Sequence, residues 1–364
     1  MVPELLDRGL LKLPVLGGCY RRRSAALKRQ LCLVLNRFGI LKPFTFVQWL
    51  ATNRCNLFCP YCESSSGSSG PDELGSDEVM ALMDDLSAMG VRKLVVSGGE
   101  PLMRGDILEL MGYANRRSLR LGLVTNGWFV PELHSALRRL RFYLYFTSID
   151  GTHGYHDAIR GRDGALERAL AGLEFFAGMG VPVRMVNTVV HPGNISQLDR
   201  IAEIVKESAA TSWRITPVSR VGRAENGTGY ELDGAQLRFL AGFVKARRKE
   251  MNVDFGESHM YLGCFGDGTG GKPFFCGAGL TRCSIMPNGD VFGCHQVFDP
   301  SLSEGNVRDR AFPELWKEGF TRFRNKSFPD ACPACPHFGA CRGGCWAEME
   351  KSGACLKPVW DEVE

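Results

Sequence analysis

From residue 46 to about residue 250, short apolar runs alternate with stretches whose apolar residues recur at helical spacing. The runs at 46–51, 94–97, 121–125, 143–148, 184–190 and 213–216 predict six strands. Between the first two, Val79, Leu82, Met83 and Leu86 mark one face of a helix. Ser76 is its expected N-cap, and Asp77 and Glu78 suit its positive end. Repeated strand–helix units imply parallel strands joined by right-handed crossovers. Six of them predict an α/β fold, a partial (β/α)6 barrel, with its chemistry at the C-terminal ends of the strands. Residues 1–45 read as a basic N-terminal extension and 46–250 as the barrel. After the glycine-rich stretch 266–271 cysteines become dense and apolar residues thin, so 255–364 reads as a second domain whose fold depends on metal.

Composition narrows the classes. The 364 residues are 44% hydrophobic and 23% charged, as in an ordinary globular protein. No apolar run is long enough for a transmembrane helix, and no signal peptide is evident, so the expected compartment is the cytoplasm. The net charge is +4, but residues 1–50 hold nine Lys and Arg against Glu4 and Asp7. That segment is expected to be a helix packed on the barrel with a solvated basic face. No aromatic residues interleave the basic ones, and a nucleic-acid module is not expected.

The 14 cysteines change the picture most. In a reducing compartment, clustered cysteines bind metal or do redox chemistry. Cys55, Cys59 and Cys62 form one group with C-x3-C-x2-C spacing, on the loop after the first strand. Eight more run from Cys276 to Cys355, while Cys19, Cys32 and Cys264 stand apart as buried thiols. Three local thiolates suit a [4Fe–4S] cluster with one iron open to a ligand; the alternatives are a zinc site completed from elsewhere or a structural cluster.

The triplet resembles the signature of the radical S-adenosylmethionine (SAM) superfamily. The resemblance implies that SAM chelates the open iron and is reductively cleaved to a 5′-deoxyadenosyl radical, which takes hydrogen from the substrate. Tyr61 matches the aromatic residue that lies near the adenine. The second strand ends in Gly98-Gly99-Glu100, similar to the family segment that holds the SAM amino group. Asn126, Ser148, Asp150 and Asn187, at the ends of later strands, are the candidates for the ribose, carboxylate and adenosine. Arg160 is a candidate partner for the SAM carboxylate, which a guanidinium fits well.

The later cysteines are similar in number and order to those of the SPASM domain, with Gly289 at its expected place before Cys294. This resemblance implies two auxiliary [4Fe–4S] clusters. The nearer would use Cys276, Cys294 and Cys345, with Cys283 as the fourth ligand. The farther would use Cys332, Cys335, Cys341 and Cys355. Residues 285–291 read as a turn between two short strands that brings Cys283 toward Cys294. The sulfatase-modifying subgroup carries an acidic residue after the cysteine matching Cys294; His295 departs from that pattern.

The expected activity is therefore oxidative modification of a ribosomally made peptide, with a one-electron donor such as flavodoxin or ferredoxin. A small-molecule dehydrogenase, epimerase or decarboxylase is the second class, for which Cys264 is a candidate hydrogen-atom donor. A non-enzymatic iron–sulfur carrier is the third.

Overall fold

In the computed structural model of the chain, the described residues are 46–256 apart from 69, 71 and 226, and 276–345 apart from 298, 327 and 342. Residues 27, 29–35, 38, 355 and 359 are also described. Cys19 and Cys264 lie outside these residues.

The six expected strands are β1 (Phe46–Leu50), β2 (Lys93–Ser97), β3 (Arg120–Val124), β4 (Phe142–Ser148), β5 (Val183–Val190) and β6 (Ser212–Pro217). They pair in parallel, each with the next, and form an open, partial barrel. Side chains alternate across each strand. Val47 and Trp49, Leu94 and Val96, Leu121 and Leu123, and Trp213 and Ile215 face outward into a continuous apolar core. The helices Ser76–Ala88, Ile107–Arg116, Ala165–Gly178, Leu198–Glu207 and Gly234–Arg247 cover that face with buried stripes such as Val79, Leu82, Met83 and Leu86. The opposite face encloses a cavity.

Ser76 is the first residue of its helix rather than the cap. Gly75 takes that place, and its N–H donates to Glu78 Oε2 at 2.7 Å. The Ser76 hydroxyl instead donates to Asp106 at 2.6 Å.

The sheet extends past the barrel at both edges. β7 (Val253–Phe255) pairs with β6, and β8 (Arg282–Ile285) pairs in parallel with β1, followed by antiparallel β9 (Val291–Phe292). The nine strands run in the order β7-β6-β5-β4-β3-β2-β1-β8-β9. One sheet thus crosses the expected domain boundary. Arg308 ties the C-terminal part to the barrel helix by an ion pair with Glu78 at 2.6 Å. That bond, with the Gly75 N–H, holds the Glu78 carboxyl down to about 2. Residues 29–35 are helical; Cys32 is buried, and Arg29 donates to the carbonyls of Phe323 and Arg324.

Candidate active site

The loop after β1 carries Cys55, Cys59 and Cys62 over the C-terminal ends of the strands, and distant elements hold it. The N–H of Gly99 donates to the Thr52 carbonyl and that of Glu100 to the Arg54 carbonyl, at 2.9 and 2.7 Å. A Cβ on Gly98 would sit 2.5 Å from the Thr52 carbonyl oxygen, and one on Gly99 2.3 Å from that of Arg54. Both glycines line the cavity, but their missing side chains make room first for the cysteine loop. On the far side, Arg223 Nε donates to the Cys59 carbonyl and its Nη1 to the Ser66 carbonyl, both at 2.7 Å. Gly222 packs so closely that a Cβ would lie 2.3 Å from the Cys62 carbonyl oxygen.

Burial pushes the Cys55 thiol up to about 11, and it raises that of Cys59 against the opposing charge of Arg160. The three thiols are near enough to influence one another. Among the described residues no three His, Cys, Asp or Glu groups close on a single ion. Three thiols on one loop suit a [4Fe–4S] cluster, in which each thiolate binds a different iron.

Tyr61, Gly98, Gly99, Asn126, Ser148, Arg160 and Asn187 all line the same cavity of about 530 Å³. Ser148 stands beside Asn187 in register, and Asn187 beside Arg214. Asn126 donates to Asn56 Oδ1 at 2.9 Å, and Asn187 Oδ1 accepts from Thr216 at 2.9 Å.

Two of the expected contacts, Glu100 and Asp150, already have partners within the protein. Glu100 is fully buried and is absent from the described cavity wall. Its carboxylate accepts from Thr125 Oγ1 and from the N–H groups of Asn126 and Leu102 at 2.8–3.0 Å, so it braces the strand ends. Burial pushes it up to about 7, against those hydrogen bonds. Asp150 is also fully buried. It pairs with Arg160 and accepts from Tyr61 Oη at 2.8 Å and from the Val189 N–H at 2.7 Å. Its role is to aim Arg160 and Tyr61. Burial opposes the charge on Arg160, but Asp150, Cys59 and Tyr61 together outweigh it and the guanidinium is held well above its ordinary value. Arg160 Nη1 reaches Cys59 Sγ at 3.3 Å, while its buried Nε has no partner in the protein. An unsatisfied guanidinium N–H beside the cysteine loop fits the carboxylate of SAM.

Cys276, Cys294 and Cys345 line the same cavity, with His295 and Gln296. Gln296 donates to Glu63, next to Cys62, at 3.2 Å, so the two cysteine regions meet. After burial, the neighbouring thiols Cys355 and Cys335 raise Cys332, and Cys355 and Cys332 raise Cys341. Cys283 stands on the other face of its strand from Arg282. It pairs with Val47 on the outward face of the sheet, 1% exposed within the apolar core, while its neighbour Arg282 faces the cavity. Strand alternation sets its thiol on the face opposite the Arg282 side chain.

Sequence reasoning missed Gly222, Arg223 and Arg214, as well as His191 and Tyr230, whose rings lie 5.3 and 5.8 Å from that of Tyr61. Arg214 carried a signal: it is a cation between the apolar residues Trp213 and Ile215 of a strand.

The family model of the radical SAM superfamily matches residues 49–205, and that of the SPASM iron–sulfur cluster-binding domain matches 276–336. The mycofactocin maturase MftC of Mycolicibacterium smegmatis is 34% identical over 306 residues, covering 82% of this chain and 77% of the relative. An AdoMet-dependent heme synthase of Nitratidesulfovibrio vulgaris is 30% identical over 335 residues, covering 83% of this chain and 87% of the relative. In fold the chain is similar to Streptococcus suis SuiB bound to its precursor peptide SuiA. The TM-score is 0.70 at 17% identity, over 89% of this chain and 77% of that one.

Proposed function

The chain belongs to the radical SAM superfamily and carries a SPASM iron–sulfur domain, and on that premise we propose that it oxidatively modifies a ribosomally made peptide. One observation carries the reading: a single cavity runs from Cys55, Cys59 and Cys62 to Cys276, Cys294 and Cys345. Cys55, Cys59 and Cys62 would hold a [4Fe–4S] cluster, which would supply the one-electron reduction that cleaves SAM to a hydrogen-abstracting radical. Arg160, aimed by Asp150, holds the SAM carboxylate through its unpartnered Nε. Tyr61, Asn126, Ser148 and Asn187 line the nucleoside's place. The C-terminal region from residue 255 is the cluster-holding domain. Cys276, Cys294 and Cys345 hold one auxiliary cluster, and Cys332, Cys335, Cys341 and Cys355 hold the other. Oxidising a substrate requires a second electron to leave it, and a cluster on the second group of cavity cysteines would give that electron a nearby acceptor. A flavodoxin or ferredoxin is the proposed source of the first.

The three similar proteins favour different substrates: one is named a maturase and SuiB was solved with a precursor peptide, whereas the heme synthase favours a small molecule. The test uses anaerobically reconstituted protein with SAM, a strong one-electron reductant and candidate precursor peptides. The expected result is 5′-deoxyadenosine together with a peptide that has lost hydrogen, and neither product from a Cys55→Ala/Cys59→Ala/Cys62→Ala variant. Turnover of a small metabolite while peptides stay inert overturns the peptide reading.

A further inference from the structure

The loop between β1 and the first barrel helix has two faces. Cys55, Leu57, Cys59, Tyr61 and Cys62 line the cavity on the inner one. Arg54, Phe58, Arg162 and Arg223 are absent from the described cavity wall. Phe58 is 66% exposed although both its neighbours, Leu57 and Cys59, are buried. A single exposed ring is ordinary, but this one belongs to a patch. Arg223 Cζ lies 4.3 Å from its centre, and the Phe58 N–H donates to the Arg160 carbonyl at 3.0 Å. Two residues beyond Arg160, Arg162 Cζ lies 3.6 Å from the Trp128 ring, and its Nη1 reaches the Asn56 carbonyl at 3.5 Å. Arg54 is exposed and bridges to Gly67, next to the Ser66 carbonyl that Arg223 holds. Guanidinium groups and rings thus follow one another along the outside of the loop.

The charge of these arginines stays available. Arg162 and Arg223 bond backbone carbonyls and stack on rings, and among the described residues no carboxylate pairs with either of them or with Arg54. Asp157 is engaged by the N–H groups of Gly164 and Leu166. The exposed acids Asp163 and Glu225 make no ion pair with the three arginines. A guanidinium stacked on a ring is held in place while its charge remains. Arginine and aromatic side chains are also the types enriched where proteins bind one another. Phe58 directly precedes Cys59 in the chain, so the patch lies against the thiols on the side away from the cavity. With SAM and substrate in the cavity, an electron reaches the loop from this outer side.

We propose that this outer patch docks a flavodoxin, an acidic carrier whose reduced flavin passes one electron through the loop to the cluster that Cys55, Cys59 and Cys62 would hold. The flavin is oxidised by one electron and the cluster reduced by one. The proposal rests on the radical SAM reading and names the surface that its electron donor uses. Carboxylates around the flavin meet Arg54, Arg162 and Arg223, and their attraction steers the encounter. The dimethylbenzene edge of a flavin is flat and apolar, as is the Phe58 ring. A ferredoxin, whose cluster lies under backbone, offers no such edge.

The experiment titrates oxidised flavodoxin into the reconstituted, SAM-loaded protein by calorimetry. A second readout is 5′-deoxyadenosine formed with reduced flavodoxin or with dithionite, a small reductant that needs no docking surface. The expected complex is weak, as redox encounters are, and loosens about tenfold between about 50 and about 300 mM salt. Arg54→Glu/Arg162→Glu is expected to weaken it about tenfold or more, and Phe58→Ser about fivefold. Product formed with flavodoxin falls in step, while product formed with dithionite is unchanged. Binding that neither salt nor these variants alter would overturn the proposal. So would an equal loss of product under dithionite, which makes the residues supports of the loop. So would a ferredoxin that binds, sensitive to both variants, where flavodoxin does not. Failure of the radical SAM reading is separate: dithionite would then yield no 5′-deoxyadenosine from the unaltered protein, while the calorimetry still reported on the patch.

Discussion

The two cysteine regions are built on opposite plans. The loop bearing Cys55, Cys59 and Cys62 is fastened by partners far away in the chain: Gly99, Glu100, Arg160 and Arg223 all bond its backbone or its thiols. In the segment with Cys332, Cys335 and Cys341, the cysteine backbone bonds run to near neighbours, Cys332 N to Pro329 O, Cys335 N to Cys332 O and Cys341 N to His337 O. Packing therefore preforms the first site, whereas the printed bonds of the second are local, the arrangement in which a bound metal would contribute most to the fold.

Iron removal should expose this contrast most clearly. After chelation, hydrogen exchange in residues 332–345 is expected to rise to that of frayed turns, while 51–67 keeps most of its protection. Equal loss in both would break the comparison. Asp150→Ala comes next, because it leaves the buried Arg160 cation beside Cys59 without its partner. A loss of about 3–5 kcal/mol is expected in denaturant unfolding, together with weaker SAM binding.

Glu100 contributes a pH effect of similar size. Burial pushes its carboxyl in the folded state up to about 7, above the ordinary value of 4.5. Between those values the folded state keeps a proton that the unfolded state has released. Stability therefore falls as pH rises through that window and stays lower above it, by about 3 kcal/mol in the SAM-free protein. Glu100→Gln is expected to flatten the curve of unfolding midpoint against pH. Arg223→Ala removes two charge-assisted bonds to loop carbonyls and is expected to cost about 1.5–3 kcal/mol, with reduced retention of loop iron. The smallest effect is that of Cys283→Ala. It should cost about 1 kcal/mol for lost packing and leave the auxiliary-cluster EPR signals unchanged. Cys276→Ala, by contrast, should alter them.

Much of this was legible before any coordinates. The six barrel strands fall close to the apolar runs because both faces of a parallel strand are covered, which leaves a dense local signal. The cysteine loop was legible because thiol spacing is itself local. What escaped depended on direction or on distance. Glu100 and Asp150 have the residue types of ligand contacts, but only the fold shows their carboxylates turned toward Thr125 and Arg160. Cys283 reads as one more thiol in a series until β8 is set beside β1, when the alternation sends Arg282 inward and Cys283 outward. That pairing joins residues far apart in the chain, and no local periodicity records it. Arg223 escaped because its partners, the Cys59 and Ser66 carbonyls, carry no side-chain signature.

The seat of β1 between β2 and β8 also bears on how the chain is made. On the ribosome, β1 emerges early and gains β2 soon after, but its other edge stays open until Arg282–Ile285 has been synthesised. An unpaired strand edge is a template for pairing with other chains. The nascent barrel thus passes most of its synthesis with one sticky side, and translation arrested before β8 yields a barrel prone to aggregate rather than a smaller soluble enzyme.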